Sequence, residues 1–270
     1  MSNPLISLIT VCYNAENLIA ETLSSAINQT YKNIELVIID GGSKDKTIEE
    51  VLKFKQFIGT LISEPDKGIY DAMNKGIKAA KGEWIYFLNA GDSFYNDSVL
   101  EKLFANNDFT GFDFIYAKMQ TVNEPTGVNY IGGHKVTFRD FYYKYPICHQ
   151  TTFTRKSVFE YMPYLDANLK IMADNKWQMT YFKSYQNKTK FIDDVVAYYD
   201  IQGASYHKRM KGYREHLGYT AQLLPLPIYL ANLFLYPIIW AKVKFIRTFQ
   251  QTSWFKAYRN LKFKHKKANV

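Results

Sequence analysis

Short polar clusters follow apolar runs at four places in the N-terminal part of this chain of 270 residues. They are Tyr13-Asn14, Asp40-Gly41-Gly42-Ser43, Asp66-Lys67-Gly68 and Asn89-Ala90-Gly91-Asp92. Asn, Asp and Gly often do no more than form turns, and that is the better explanation for any one cluster. The four clusters together favour a site for a polar ligand that contains two or more carboxylates.

The apolar runs before the clusters predict the strands that must bring them together. These runs are Ile6–Val11, Ile34–Ile39, Ile58–Ser63 and Trp84–Leu88, and helical patterns separate them. One such pattern places Ile69, Met73 and Ile77 on one helix face, and Asn14 is expected to cap the first helix. The alternation predicts an α/β fold with a mostly parallel sheet flanked by helices. The carboxyl ends of parallel strands share one edge, where ligands bind.

The same stretches resemble a known family, the inverting glycosyltransferases of family 2, which have the GT-A nucleotide-diphospho-sugar transferase fold. The resemblance rests on Thr10-Val11-Cys12-Tyr13-Asn14, on Asp40 to Asp45, on Glu64 to Gly76 and on Leu88 to Asp92, in the family's order. Bacterial transferases that build surface polysaccharides, the colanic-acid type among them, are similar in particular. The resemblance implies an enzyme that moves a sugar from a nucleotide-diphospho-sugar donor to a saccharide acceptor.

The resemblance also implies a role for each cluster. Asp40 matches the carboxylate that accepts from the nucleotide base, and Lys67 would offset phosphate charge. The implied donor-binding residues are Thr10, Tyr13, Asn14, Asp40, Ser43, Asp66, Lys67, Asn89 and Asp92. A bound Mn²⁺ or Mg²⁺ would bridge the two phosphates. The chain departs from the usual Asp-x-Asp pattern, with Asn89 and Gly91 in place of the two Asp residues, so Asp92 is the expected metal ligand.

The acceptor side is expected further along the chain. His149 and Gln150 resemble a His-Gln pair that faces the acceptor, although chemistry alone explains His149 equally well as a core or loop histidine. Asp174 matches the base that takes the proton from the attacking hydroxyl. As a carboxylate at a helix start it would also be favoured by the helix dipole, and both roles are compatible. Gly203-Ala204-Ser205 resembles the family's closing segment near the donor phosphates.

The expected domains are residues 1–215, a transferase domain, and residues 216–270, a tail. Within the first, residues 1–110 form the nucleotide-sugar-binding half and residues 111–215 the acceptor-side half, in which the pattern from Thr121 to Phe141 is irregular. The tail opens with an uncharged stretch, Leu223 to Ala241, that approaches the roughly 20 residues of a membrane span. Three prolines, Pro225, Pro227 and Pro237, are expected to interrupt it. We therefore expect an interfacial or re-entrant element.

Charge is concentrated after this stretch. Nine of the 34 basic residues lie between Lys242 and Val270, where no Asp or Glu occurs, and the rest of the chain has 25 residues of each sign. The end of the chain, from Ser253, predicts a basic amphipathic helix on an anionic membrane surface. The sugar nucleotide and the basic tail would both lie on the cytoplasmic face of the bacterial inner membrane, with the protein peripheral or monotopic. The expected acceptor is a lipid-linked saccharide.

Other interpretations remain open at this point. The tail helices could instead cover the domain, whereas nucleic-acid binding is disfavoured because no base-reading motif accompanies the charge. The chain could be a catalytically silent, membrane-bound partner that binds a sugar nucleotide. A nucleotidyltransferase is less consistent, since Cys12-Tyr13-Asn14-Ala15 replaces its glycine-rich loop. The cysteines, Cys12 and Cys148, show neither metal spacing nor a disulfide pattern and fit a reduced compartment. The N-terminal apolar run, with no basic residue before Lys32, is expected to be a strand rather than a secretory signal.

Overall fold

The computed structural model describes residues 3–105, 107–123, 128–200, 209–249 and 252. The strands are β1 (Ile6–Cys12), β2 (Ile34–Asp40), β3 (Ile58–Ser63), β4 (Trp84–Phe87), β5 (Ser93–Phe94), β6 (Phe114–Asn123), β7 (Val128–Gly132), β8 (Thr152–Arg155) and β9 (Thr189–Asp200). The α-helices are α1 (Ile19–Ile27), α2 (Thr47–Leu52), α3 (Ile69–Ala79), α4 (Val99–Phe104), α5 (Ala173–Tyr185), α6 (Arg209–Leu223) and α7 (Leu226–Phe249). The predicted segment Gly203–Ser205 and the predicted helix after Ser253 lie outside the described residues.

One sheet runs through both expected halves of the transferase domain. Its strand order is β3-β2-β1-β4-β8-β6-β9-β5, with β7 paired to β6. The first four strands are parallel, as predicted. In the second half β8 runs antiparallel to both β4 and β6, whereas β9 is parallel to β6, so the sheet as a whole is mixed.

Both faces of the parallel strands are covered, which explains why their sequences are continuous apolar runs. On one face Ile9 packs in a core with residues of α3 and α5. On the other, Leu8 packs with residues of α1, α2 and α4. The strands are therefore held rigidly, and the loops at their carboxyl ends are the part of the sheet that is left open.

The helix α3 faces the core with a different stripe from the one predicted. Tyr70, Met73 and Ile77 are buried, whereas Ile69 is 45% exposed. The spacing of Tyr70, Met73 and Ile77 fits one helix face as well as the predicted set does. The helix is thus rotated so that a tyrosine enters the core next to the polar edge of the sheet.

The region from Thr121 to Phe141, predicted to be irregular, contains part of a hairpin. β6 extends to Asn123 and pairs in antiparallel fashion with β7. Backbone pairing to β7, β8 and β9 holds β6 in the sheet.

The C-terminal helices differ most from expectation. α7 runs from Leu226 to Phe249 without a break and contains Pro237. Its first turn begins at the carbonyl of Pro225, which accepts from Ile228 and Tyr229. At a helix start a proline needs no N–H partner, so Pro225 and Pro227 do not interrupt the helix. The boundary expected after residue 215 falls inside α6, which packs against both α5 and α7.

Candidate active site

The carboxyl ends of β1 to β4 form one polar edge, and Asp40 organises it. Its side chain is fully buried (0% exposed). It accepts hydrogen bonds from the backbone N–H groups of Gly42 and Ser43, both at 3.1 Å, and from the Ser63 hydroxyl at 2.7 Å. The Ser43 hydroxyl also donates to it. The resemblance gave this carboxylate the contact with the nucleotide base. In the structure it is already hydrogen-bonded to groups of its own sheet edge.

Asn14 connects the loops that follow β1 and β2. Its backbone N–H donates to the Ser43 hydroxyl at 2.8 Å, and its side-chain oxygen accepts from the backbone N–H of Lys44 at 2.9 Å. Its φ angle of 48° lies in the left-handed region that asparagine tolerates. Because α1 begins only at Ile19, with Leu18 as its capping residue, the predicted capping role of Asn14 is wrong.

An open acceptor lies beside Tyr13. The Tyr13 ring is 62% exposed. A Cβ added to Gly41 would lie 2.3 Å from Asp66 Oδ2 and 3.4 Å from the Tyr13 ring, so this glycine lets the Asp66 carboxylate rest against the backbone. Asp66 Oδ1 accepts from the backbone N–H of Gly68 at 2.7 Å. The described residues provide no hydrogen-bond donor for Asp66 Oδ2.

Two other predicted donor residues differ in accessibility. The Thr10 side chain is fully buried, and its hydroxyl has no hydrogen-bond partner among the described residues. The sheet interior thus keeps Thr10 away from the open edge. Lys67 lies exposed in the turn before α3, where its backbone carbonyl accepts from Lys170 Nζ at 2.7 Å.

The loop after β4 carries Asp92, and α1 fixes this loop. The Thr22 hydroxyl donates to the Asp92 carbonyl at 2.9 Å and accepts from the Gly91 N–H at 2.9 Å. Asp92 Oδ1 accepts from Gln150 Nε2 at 3.1 Å. Asp92 Oδ2 lies 4.0 Å from His149 Nε2, too far for a hydrogen bond. The predicted His-Gln pair therefore contacts the carboxylate on the donor side.

His149 lies between Asp92 and Asp174. Its Nδ1 is 3.6 Å from Asp174 Oδ2. Its Nε2 is 3.0 Å from the side-chain nitrogen of Asn89. When the imidazole is neutral and Nε2 carries no proton, the Asn89 side-chain N–H donates to Nε2. When the imidazole is protonated, a rotation of the Asn89 amide group by about 180° lets its oxygen accept from Nε2–H. The histidine thus links the two carboxylates that the sequence assigned to donor and acceptor chemistry.

Asp174 lies in the first turn of α5, as predicted. Its Oδ1 accepts from the Tyr70 hydroxyl at 3.0 Å. Burial, and then the charge of Asp174, raise the pKa of Tyr70 well above its ordinary value, so this hydroxyl keeps its proton and remains a donor. The sequence analysis did not select Tyr70 as a site residue. The spacing of Tyr70, Met73 and Ile77 is the signal that would have placed its side chain on the buried face of α3.

Burial and charge have opposite effects on the groups between β4 and α5. Burial raises the pKa of Asp92, and His149 and Gln150 offset only part of this rise. Burial lowers the pKa of His149, but the hydrogen bond and charge of Asp174 and the charge of Asp92 outweigh it, so the pKa of His149 lies above its ordinary value. A protonated His149 supplies positive charge between two carboxylates.

The oxygen atoms near Asp92 fit a cation that takes most of its ligands from a substrate. The described residues contain no group of three or more His, Cys, Asp or Glu residues that could enclose a metal. However, among the described residues Asn89 Oδ1 is buried without a hydrogen-bond partner, and Asp92 Oδ2 has no hydrogen-bond donor, with His149 Nε2 at 4.0 Å. Mg²⁺ in phosphate-transfer sites is often held by one or two protein oxygens together with phosphates and water.

Comparisons with known proteins identify relatives with transferase activity. The sequence profile described as "Glycosyl transferase family 2" matches residues 7–163. A PGL/p-HBAD biosynthesis glycosyltransferase of Mycobacterium bovis (strain BCG) is 29% identical over 207 residues, which cover 75% of this chain and 79% of that protein.

Two solved structures share the fold. S. aureus TarS (residues 1–349) in complex with UDP-GlcNAc has a TM-score of 0.66 and 21% sequence identity, over 83% of this chain and 69% of that one. The mannosyltransferase PcManGT from Pyrobaculum calidifontis, in complex with GDP-Man and Mn²⁺, has a TM-score of 0.63 and 16% identity, over 96% of this chain and 86% of that one.

Proposed function

This chain belongs to glycosyltransferase family 2 and has the GT-A fold expected from its sequence, and we propose that it transfers a sugar, with inversion, from a nucleoside-diphosphate sugar to a lipid-linked saccharide. The proposed setting is bacterial polysaccharide, capsule or O-antigen synthesis. One observation carries the catalytic part of this proposal: His149 lies 4.0 Å from Asp92 and 3.6 Å from Asp174, so the donor-side and acceptor-side carboxylates line one cleft.

In the proposed reaction Asp174 is the general base. The acceptor hydroxyl attacks C1 of the sugar, its proton passes to Asp174, and the C1–O bond to the diphosphate breaks with its electron pair leaving on the nucleoside diphosphate. Tyr70 holds Asp174 Oδ1 at 3.0 Å, and the other oxygen, Oδ2, lies 3.6 Å from His149 Nδ1.

The leaving group is proposed to lie beside Asp92. A bound Mn²⁺ or Mg²⁺ would act as a Lewis acid on the diphosphate, and Asp92 and Asn89 are the residues that would hold it. Gln150 orients Asp92 through the 3.1 Å hydrogen bond to Oδ1. Lys67, exposed in the turn before α3, is proposed to offset phosphate charge.

The nucleoside is proposed to bind between the loops after β1 and β3. Tyr13 supplies an exposed ring for the base, and Asp66 Oδ2 supplies an acceptor for a base N–H. Asn14, Asp40 and Ser43 hold the backbone of this pocket through the hydrogen bonds that join their loops. The base-accepting role that the resemblance gave to Asp40 is thus proposed for its neighbour in space, Asp66.

The Gly41→Ala variant tests this pocket. We expect at least a tenfold weaker affinity for UDP or GDP, because the added Cβ would lie 2.3 Å from Asp66 Oδ2 and displace that carboxylate. Calorimetric titration measures the affinity. Gly59→Ala is the matched control, since its Cβ would meet only ordinary contacts at 3.5 Å or more. Equal affinities in wild type and Gly41→Ala would remove Asp66 from the base pocket.

The membrane part of the proposal rests on α7. Leu226–Ile246 is the one stretch of the described residues with the length and composition of a membrane span, with a mean hydropathy of 1.4, and 11% of it is buried. Its large exposed apolar side chains are Leu226, Leu230, Leu233, Phe234, Leu235, Ile238, Trp240 and Phe245. Exposed apolar faces of this kind mark membrane or partner contacts.

Contacts along α7 favour an in-plane position over a crossing. The Asn232 side chain, in the second turn of the helix, donates to the Tyr142 carbonyl at 2.8 Å. Ile228 packs against the core of the domain near the start of the helix, and Val243 is buried near its end. These contacts support a position of α7 against the domain rather than across a bilayer. We propose that the outer face of α7 rests on the cytoplasmic face of the inner membrane, where a lipid-linked acceptor lies.

Replacing Phe234, which is 79% exposed, with Asp tests the membrane contact. We expect at least a tenfold loss of binding to vesicles of phosphatidylglycerol and phosphatidylethanolamine, because a charge would enter the apolar face. Co-sedimentation measures the bound fraction. Phe57→Asp is the matched control, since Phe57 is 47% exposed on another part of the surface. Unchanged sedimentation of Phe234→Asp would exclude α7 as the membrane contact.

The proposed donor class is tested by thermal stability with UDP, GDP, TDP and CMP, each with and without Mn²⁺. A ligand at a hundred times its dissociation constant adds about 2.7 kcal/mol to the free energy of unfolding. We expect one nucleoside diphosphate to raise the melting temperature, and to do so more strongly with Mn²⁺. If none of the nucleotides stabilises the protein, the proposed donor site is wrong.

A further inference from the structure

The helix α6 holds the chain segment that leads into α5. The Glu215 carboxylate on α6 accepts three backbone N–H groups: those of Lys170 and Ile171 at 2.9 Å each, and that of Met172 at 3.1 Å. Met172 is the capping residue of α5, and its side chain makes no capping hydrogen bond. Glu215 therefore fixes, from another helix, the backbone immediately before the turn that contains Asp174.

Two neighbours of Glu215 on the same face of α6 add to this contact. A Cβ on Gly212 would lie 2.7 Å from the Met172 side chain and 3.2 Å from that of Ile171, so the glycine lets α6 approach closely. One turn beyond Glu215, the Tyr219 hydroxyl donates to Asn175 Oδ1 at 2.5 Å. The spacing of 212, 215 and 219 places all three on one helix face. α6 thus contacts the chain on both sides of Asp174.

We propose that Glu215 is a positioning residue for Asp174, an inference that rests on the proposed base role of Asp174. Glu215 does not reach the reacting atoms. It acts by holding residues 170–172, which set where α5 begins and hence where its first-turn carboxylate lies in the cleft. Small displacements of a reacting group are costly in enzymes, and a shift of about 1 Å can lower turnover by about 100-fold.

The same helix connects this position to α7. Arg214, next to Glu215, lies 3.2 Å from the Tyr236 hydroxyl of α7. Glu215 is the only acidic residue of α6. The helix is therefore part of the support of the active site rather than a linker to the tail.

The test compares Glu215→Ala and Glu215→Gln in the full-length protein. The probes are UDP-GlcNAc and GDP-Man with a bacterial lipid extract, and the released UDP or GDP is measured per nucleotide-binding site. We expect Glu215→Ala to lower kcat by about 10- to 100-fold, with the dissociation constant of UDP or GDP changed by less than about twofold, because β1 to β4 hold the donor residues. Glu215→Gln keeps a carbonyl oxygen for Ile171 and Met172 and should recover most of the turnover.

Lys211→Ala, an exposed change on the same helix, is the control and should match wild type. A kcat within about twofold of wild type in Glu215→Ala would overturn the proposal, as would an equal loss of turnover and nucleotide affinity, which marks a general structural role. If Glu215→Ala does not fold, Glu215→Gln still tests the proposal. Turnover of Glu215→Gln as low as that of Asp174→Asn would contradict the proposal. Full turnover in Asp174→Asn would instead refute the base assignment itself.

Discussion

Replacing Asp174 with Asn is expected to lower turnover by about two to four orders of magnitude and to leave nucleoside diphosphate affinity unchanged. The range is the usual contribution of a general base. Asn keeps the shape of the side chain and an oxygen that accepts from Tyr70, now at 3.0 Å from Asp174 Oδ1, but it cannot take the proton of the acceptor hydroxyl. Initial rates of sugar transfer and titration with UDP or GDP measure the two quantities separately.

Asp166→Asn is the matched control for this variant. Asp166 pairs with Lys176 of α5 at 2.7 Å, so its replacement also removes a carboxylate that contacts this helix. It does not contact His149 or the cleft, and near-normal turnover is expected. If Asp174→Asn retains turnover, another group is the base. A loss of nucleotide affinity as large as the loss of turnover would mean that Asp174 acts on the donor.

The second large effect is expected for Asp92→Asn. We expect the affinity for UDP or GDP in the presence of Mn²⁺ to fall by about 10- to 100-fold or more, since even the loss of an outer partner of a metal ligand has an effect of this size. The substitution removes the charge yet keeps an oxygen that can accept from Gln150, 3.1 Å away. Titrations with and without Mn²⁺ separate the metal-dependent part of the affinity.

The matching nucleoside, uridine or guanosine, provides the internal control. It lacks the diphosphate, so its binding beside Tyr13 should be the same in wild type and in Asp92→Asn. Gln150→Ala should show a smaller loss, because Asp92 keeps its charge and loses only its orienting partner. If Mn²⁺ increases the affinity of Asp92→Asn as much as that of wild type, Asp92 is not the ligand.

His149 lies beside the residues that replace the Asp-x-Asp pattern. Where the family pattern has two carboxylates, this chain has Asn89 and Gly91, followed by Asp92. The imidazole, with its raised pKa, lies 4.0 Å from Asp92. When His149 is protonated, it places positive charge close to the proposed diphosphate position.

The sequence predicted the parallel half of the fold because its signals are local. Each buried strand is a continuous apolar run, and each is followed by residues that form turns, so the polar edge could be located without coordinates. The sequence also predicted a helix that begins near Asp174, which lies in the first turn of α5. The prediction that three prolines interrupt the stretch that forms α7 was wrong. The effect of a proline depends on its position within a helix, and two of the three lie at the start of α7.

The order of residues along the chain does not show which polar groups remain free to bind a ligand. Asp40 appeared to be the open acceptor, but the Ser63 hydroxyl, 23 residues away, helps to occupy it, and Asp66 Oδ2 is left without a donor among the described residues. Asn14 likewise bonds to Ser43, 29 residues away, instead of capping α1. Only the folded arrangement decides these pairings.

What the sequence determined by itself is the family, the four parallel strands and the polar clusters that follow them, because apolar runs, turn residues and motifs act within a few positions; their order in the sheet came from the structure. The tertiary structure decided how the site is completed. It brought together Asn89 and His149, 60 residues apart, Tyr70 and Asp174, 104 apart, and Glu215 and the segment before α5, more than 40 apart. Such contacts form only when helices and strands pack, so no local pattern predicts them.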